Sequence, residues 1–165
     1  MRYKMLFLLF LAQAACQKSA SEKETWANLE GQAADERLMQ SEALLKLAEQ
    51  YVKFSQAFPK SPNAPKALLK SAQLLDANRL TKSAIERYQD VASRFPKSDE
   101  AAQACFLVGF AYSNVLGDTL EARKAFEQFL QNYPESELVP SARLELSTMG
   151  KSLDDLFKPD SRAVQ

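Results

Sequence analysis

The chain has no histidine, and only two of its 165 residues are cysteine, Cys16 and Cys105. Without an imidazole there is no Ser-His-Asp or Cys-His catalytic group, no histidine-containing zinc site and no side chain that ordinarily titrates near neutrality. Two cysteines are too few for a structural cysteine-rich metal site. Charge of one sign is missing as well: Lys and Arg together number 21, as do Asp and Glu. Nucleic-acid binding calls for a basic face, and nothing in this balance supplies one. No glycine-rich phosphate loop, metal-ligand cluster or aromatic-basic platform occurs, so the reading includes no cofactor, no metal and no nucleic acid. Glycine itself is scarce, at four residues, while 46% of the chain is apolar and 25% charged. That composition suits one domain with a packed helical core.

Long hydrophobic runs are also lacking. The most apolar stretch, Met5 to Ala15, covers roughly a dozen residues where a spanning helix needs about 20. It has the three parts of an export signal: Arg2 and Lys4 as a positive start, Met5 to Leu11 as an apolar core, and Ala12 to Ala15 as a small-residue exit. Two processing routes fit. "AQA" at 12–14 suits ordinary secretion and a soluble periplasmic product. "QAAC" at 13–16 resembles a bacterial lipoprotein signal, with Gln13 in the place of the usual Leu and Cys16 as the residue that becomes acylated. Removing residues 1–15 takes Arg2 and Lys4 with it, leaving 19 basic against 21 acidic residues. The resemblance also bears on address. Asp after the acylated cysteine retains a lipoprotein in the inner membrane of some bacteria, and Gln17 stands there, which points to the outer membrane. Residues 16–34 are mostly polar, with no sustained apolar period and Trp26 as the one aromatic, and read as a flexible tether, reaching on the order of 20–25 Å as coil, with Trp26 packed back on the first helices or held at the membrane interface.

The remaining chain repeats itself. "AFPKS", "RFPKS" and "NYPES" place Pro59, Pro96 and Pro134 at intervals of 37 and 38 residues. Between the first two prolines lie two apolar stripes of helical spacing. One runs over about 65–77 with Leu68, Leu69, Ala72 and Leu75; the other over about 82–94 with Ala84, Ile85, Tyr88, Val91 and Ala92. The next interval predicts helices over 101–114 and 119–131, and a last helix spans 139–149 with Gly150 as its stop. Asn63 and Thr81 stand at helix starts, Pro65 in a first turn, and "DTLE" at 118–121 has the form of a capping box. A residue before proline is pushed out of the helical region, so each Pro step ends a helix.

A helix–turn–helix unit with small residues at fixed places and a proline near its end resembles the tetratricopeptide repeat (TPR). With Pro96 at the terminal proline, Ala72, Ala84, Tyr88 and Val91 match one unit; Gly109, Tyr112, Ala122, Phe126 and Pro134 match the next after one extra loop residue. Before Pro59 the fit is partial, with Tyr51 and Phe54 in place but Leu47 where a small residue belongs. The resemblance implies an all-α, right-handed superhelical array over 35–150, with a closing helix, followed by a short capped turn and tail over 151–165. It also implies a concave face built from the first helix of each unit, carrying Lys66, Leu69, Gln73 and Asp76, then Gln103, Phe106, Phe110 and Ser113. Phe106 and Phe110 lie one turn apart and are either anchors for a partner's peptide or core residues under the closing helix.

Other side chains have bland readings. Cys105 is expected to be a small buried apolar group. The acidic neighbours Asp99 and Glu100, Asp118 and Glu121, and Asp154 and Asp155 fall at helix starts, where carboxylates complement exposed N–H groups. The function expected is a non-enzymatic scaffold that binds another envelope protein, held to the outer membrane through Cys16 and facing the periplasm. The unit spacing resembles the TPR parts of outer-membrane assembly lipoproteins and of Tol–Pal-associated periplasmic proteins. Two other classes stay open: a homo-oligomerising structural subunit, and a hydrolase working with paired carboxylates.

Overall fold

Each aromatic–Pro–x–Ser step closes the same turn. The serine N–H donates to the aromatic carbonyl three residues earlier: Ser61 to Phe58 (2.9 Å), Ser98 to Phe95 (2.9 Å) and Ser136 to Tyr133 (3.1 Å). Proline takes the second turn position, where its fixed φ is already suitable and its missing N–H is not needed. The aromatic N–H still belongs to the helix behind it, donating to Phe54, Val91 and Phe129 respectively. The serine carbonyl then accepts from Ala64, Ala101 and Val139 and starts the helix ahead. The serine hydroxyl also serves that start. Ser98 is the N-cap of its helix and accepts from the Ala101 N–H (3.2 Å). Ser61 and Ser136 accept from Asn63 (3.1 Å) and Leu138 (3.3 Å) instead. Asn63, just before α3, makes no side-chain cap bond.

The computed structural model describes residues 21–34 and 41–151. Its elements are all helical: α1 (21–33), α2 (Ser41–Ala57), α3 (Ala64–Ala77), α4 (Thr81–Arg94), α5 (Asp99–Phe110) continued by a π-helical turn (Ala111–Leu116), α6 (Thr119–Asn132) and α7 (Val139–Thr148). They follow one another as a sequential array of helix–turn–helix units, the class implied by the repeat pattern. Contacts divide them into two compact units, one ending at Ala84 and one beginning at Ile85. The expected signal, Cys16 and the 152–165 tail with Asp154 and Asp155 lie outside the described residues. Among the described residues no helix is long and apolar enough to cross a membrane.

In the first unit the expected tether proves largely helical. α1 buries Leu29 with Leu47, Tyr51, Phe54 and Ala67, and Trp26 packs on the same cluster. Its polar face is held too. The Glu30 carboxylate accepts from Lys70 (2.6 and 2.7 Å) and from the Tyr51 hydroxyl (2.9 Å), and the Glu22 carboxylate accepts from the Ser61 hydroxyl (2.5 Å). The Lys70 ammonium lies 5.7 Å from the ring centres of both Trp26 and Tyr51, and Lys66 lies 5.9 Å from that of Trp26. Three helices are thus tied by one small network. Burial alone would raise the Glu30 carboxyl, but the Lys70 ammonium, the Tyr51 hydroxyl and the more distant Lys66 hold it below its ordinary 4.5. Burial, then Glu30, pushes the Tyr51 phenol up.

In the second unit the core is Ala102, Phe126, Phe129 and Ala142, with Phe106, Leu130, Tyr133, Leu146 and Met149 packed on it. Gly109 permits its closest approach. A Cβ there would lie 2.8 Å from two carbons of the fully buried Phe126 ring, closer than van der Waals contact allows. α7 supplies Ala142, Leu146 and Met149 to this core and closes it, as expected of the last helix.

Residue counts locate the extra residue of the longer repeat. From Ser61 to Arg79 is 18 positions and from Ser98 to Gly117 is 19, while Arg79 to Pro96 and Gly117 to Pro134 are both 17. The addition therefore lies in the first helix of the pair, not in the loop as expected. The π-helical turn Ala111–Leu116 takes it up, since such a turn holds more residues than an α-helical one. Arg79 and Gly117 are then equivalent, and both are left-handed, at φ 62° and 67°. Each reverses the chain after its helix. Beyond Arg79, the Leu80 N–H reaches back to Leu75 and the Arg79 N–H to Asp76, the double bond of a Schellman end.

Two expectations follow. Glycine swaps at Arg79 and Gly109 have opposite signs. Arg79→Gly relieves a left-handed side chain and stabilises the protein by about 0.5–1 kcal/mol after the entropy of a freer unfolded chain is subtracted. Gly109→Ala forces the Phe126 ring aside and costs about 1–2 kcal/mol despite the better helix propensity of alanine. Thermal melting of both variants checks this, and a more stable Gly109→Ala contradicts the close packing. The second concerns acid. A carboxyl held below 4.5 when folded contributes stability that is complete above that pH and lost as pH falls through the lowered value. Glu30→Gln should melt below the wild type at pH 7, and the gap should close on acidification below 4.5. A gap that stays constant down to pH 3 contradicts the network.

Candidate functional site

The eight expected groove positions fall in both units, four in each. On α3, Lys66 and Gln73 are exposed, and Lys66 already lies over Trp26. Asp76 is half-buried and accepts from the Thr81 hydroxyl (3.0 Å) across the turn to α4. Leu69 is only 4% exposed, which corrects the expectation that it faces outward: α3 is buried on most of its circumference, with Ala64, Pro65, Ala67, Leu68, Ser71 and Ala72. Both α1 and α2 pack on α3, so a register position does not by itself make a free surface.

In the second unit, Gln103 is exposed, Phe106 and Ser113 are half-buried, and Phe110 is 41% exposed. The two phenylalanines differ in their surroundings. Phe106 lies 5.4 Å from the Phe126 ring centre and 5.9 Å from that of Phe129, the tilted and edge-on distances of packed aromatics. It is therefore part of the core that α7 closes. Phe110 stacks on Phe106 at 6.5 Å, with rings 27° apart, and turns much of its surface to solvent. Val115, Leu116 and Leu120, on the π-helical turn and the start of α6, are exposed as well. Apolar surface is thus concentrated over 110–120.

Beside Phe106 an open cleft of about 940 Å³ runs between the start of α5 and the α6–α7 turn. Half-buried Phe106, Tyr133 and Leu138 line it, together with exposed Lys97, Asp99, Gln103, Glu135 and Glu137. The Pro96 and Pro134 turns form its two ends, so the repeated step shapes the cleft as well as the chain. A second cleft, bounded by α4, α5 and α6, includes Cys105. Burial pushes the Cys105 thiol up, and its hydrogen bond with Tyr133 offsets only part of this. The Tyr133 phenol is pushed up to about 12, by burial first and then by Cys105. Both groups stay neutral at ordinary pH, and Cys105, expected to be buried, is half-buried, with no group beside it that lowers its thiol below the ordinary range.

The acidic neighbours act locally. The Asp118 carboxylate accepts from the Glu121 N–H (3.1 Å) as the N-cap of α6, and Glu121 pairs with Lys124 (2.6 Å). Asp99 and Glu100 occupy the first turn of α5. Among the described residues no cluster of three acidic or cysteine side chains could hold a metal ion. What the unit offers chemically is shape and apolar contact: a stacked aromatic pair, half core and half surface, next to a polar-rimmed cleft.

No curated protein matches the sequence. The tetratricopeptide repeat family matches residues 66–98 and 103–136, that is, α3 with α4 and α5 with α6. Repeats of this family are typically protein-binding modules, and the two matched stretches, 66–98 and 103–136, resemble repeats of that type.

Proposed function

We propose that the chain is a non-catalytic adaptor of a bacterial envelope, which holds another envelope protein through the first-helix surface of its repeats. In this reading the acyl chains on Cys16 fix it to the outer membrane, facing the periplasm. The observation that carries the binding part is Phe110. It is a large aromatic side chain, 41% exposed, kept in place by stacking on a core residue. The stack on Phe106 holds the ring in place, and a pre-positioned aromatic loses little entropy when a partner covers it. Gln103 and the cleft beside Phe106 extend the same surface. The anchoring part rests on the lipoprotein-like "QAAC" signal; acylation supplies membrane affinity without a spanning helix.

Paired alanine substitutions separate surface from core. Phe110→Ala should leave the melting temperature nearly unchanged and lower partner recovery, after crosslinking in the native envelope, by at least about tenfold. Phe106→Ala should instead cost up to about 3 kcal/mol of stability, because it removes half-buried contacts with Phe126 and Phe129. Undiminished recovery by a folded Phe110→Ala overturns the assignment. Metabolic labelling with a fatty acid, lost in Cys16→Ala, tests the anchor separately.

A further inference from the structure

Contacts between α1 and α3 run in step: Glu22 with Ser61, Trp26 with Lys66, Glu30 with Lys70. The two helices are therefore parallel, and the start of α1 is fixed beside the Phe58–Ser61 turn that leads into α3. Only four positions, 17–20, separate Cys16 from Ser21, the first residue of α1 to be described. Five Cα–Cα steps span at most about 18 Å even when fully extended.

We infer that this end of the first unit is a membrane-facing surface, with the exposed residues Ser21, Lys23, Pro59 and Lys60 resting at the level of the lipid headgroups. The inference rests on the acylation of Cys16 proposed above and adds what that proposal leaves open, namely which face meets the bilayer. A coil reaching to residue 34 would let the domain turn freely and stand clear of the headgroups. A helix clamped to α2 and α3 from Glu22 onward does not, because its pivot lies at the Ser21 end. The other end of α3, at Ala77, is about 20 Å further along the helix axis. Tethered at one end, the unit sits on average with Lys60 nearer the lipid than Ala77. The face is polar and carries Glu24 as well as its two lysines, so it lies on the headgroups without inserting.

Fluorescent labels placed on the full-length, acylated protein test this. Lys60→Cys and Ala77→Cys, each in a Cys105→Ala background, are reconstituted into phosphatidylethanolamine–phosphatidylglycerol vesicles that carry a nitroxide quencher on the headgroup or deep in the acyl chain. Headgroup nitroxide should quench the label at position 60 at least threefold more than the label at position 77, and deep nitroxide should quench neither. Ten Gly and Ser residues inserted after Lys18 should abolish the difference while the fatty acid is retained. If the protein carries the fatty acid and the two labels are quenched equally, the membrane face is overturned and the anchor stands. If Cys16 carries no fatty acid, both fall.

Discussion

One backbone hydrogen bond, from a serine N–H to the carbonyl of an aromatic residue three positions before it, sets the frame for the rest. It recurs at Phe58–Ser61, Phe95–Ser98 and Tyr133–Ser136. At each step proline ends one helix, the turn bond reverses the chain, and serine begins the next helix. The α-helices that leave these turns are short, 14 residues in α3, 12 in α5 before its π-helical turn and 10 in α7, and short helices are marginal alone. Their stability comes from stacking, which requires small residues where axes approach. Gly109 against Phe126 shows how little room remains.

Much of this was legible in the sequence because the signals are local. The Pro steps, the apolar stripes of α3 to α6, the Asp118 cap and the end of α7 at Gly150 are written within a few residues of where they act. What was not legible depends on distant partners. Residues 16–34 contain only Trp26 as a large aromatic, and α1 is stabilised by Tyr51, Ser61, Lys66 and Lys70, some twenty to forty residues away in sequence. Leu69 belongs to the apolar stripe by spacing and to the outward face only by the TPR resemblance, and the packing around α3 buries it. The extra residue of the second repeat was read as part of a loop, because a π-helical turn leaves no mark in apolar periodicity.

The same distinction applies to the candidate surface. Spacing placed Phe106 and Phe110 on one face, but a helix face can be half core, and only the aromatic contacts assign Phe106 to the interior and Phe110 to the surface.

The most direct test of the account is site-specific photo-crosslinking in living cells, with a photoreactive residue in place of Phe110 and, separately, of the exposed Glu127 on α6. The account predicts a discrete protein adduct from position 110 and none, or far less, from position 127. Adducts from position 127 alone, or equal adducts from both, would contradict it.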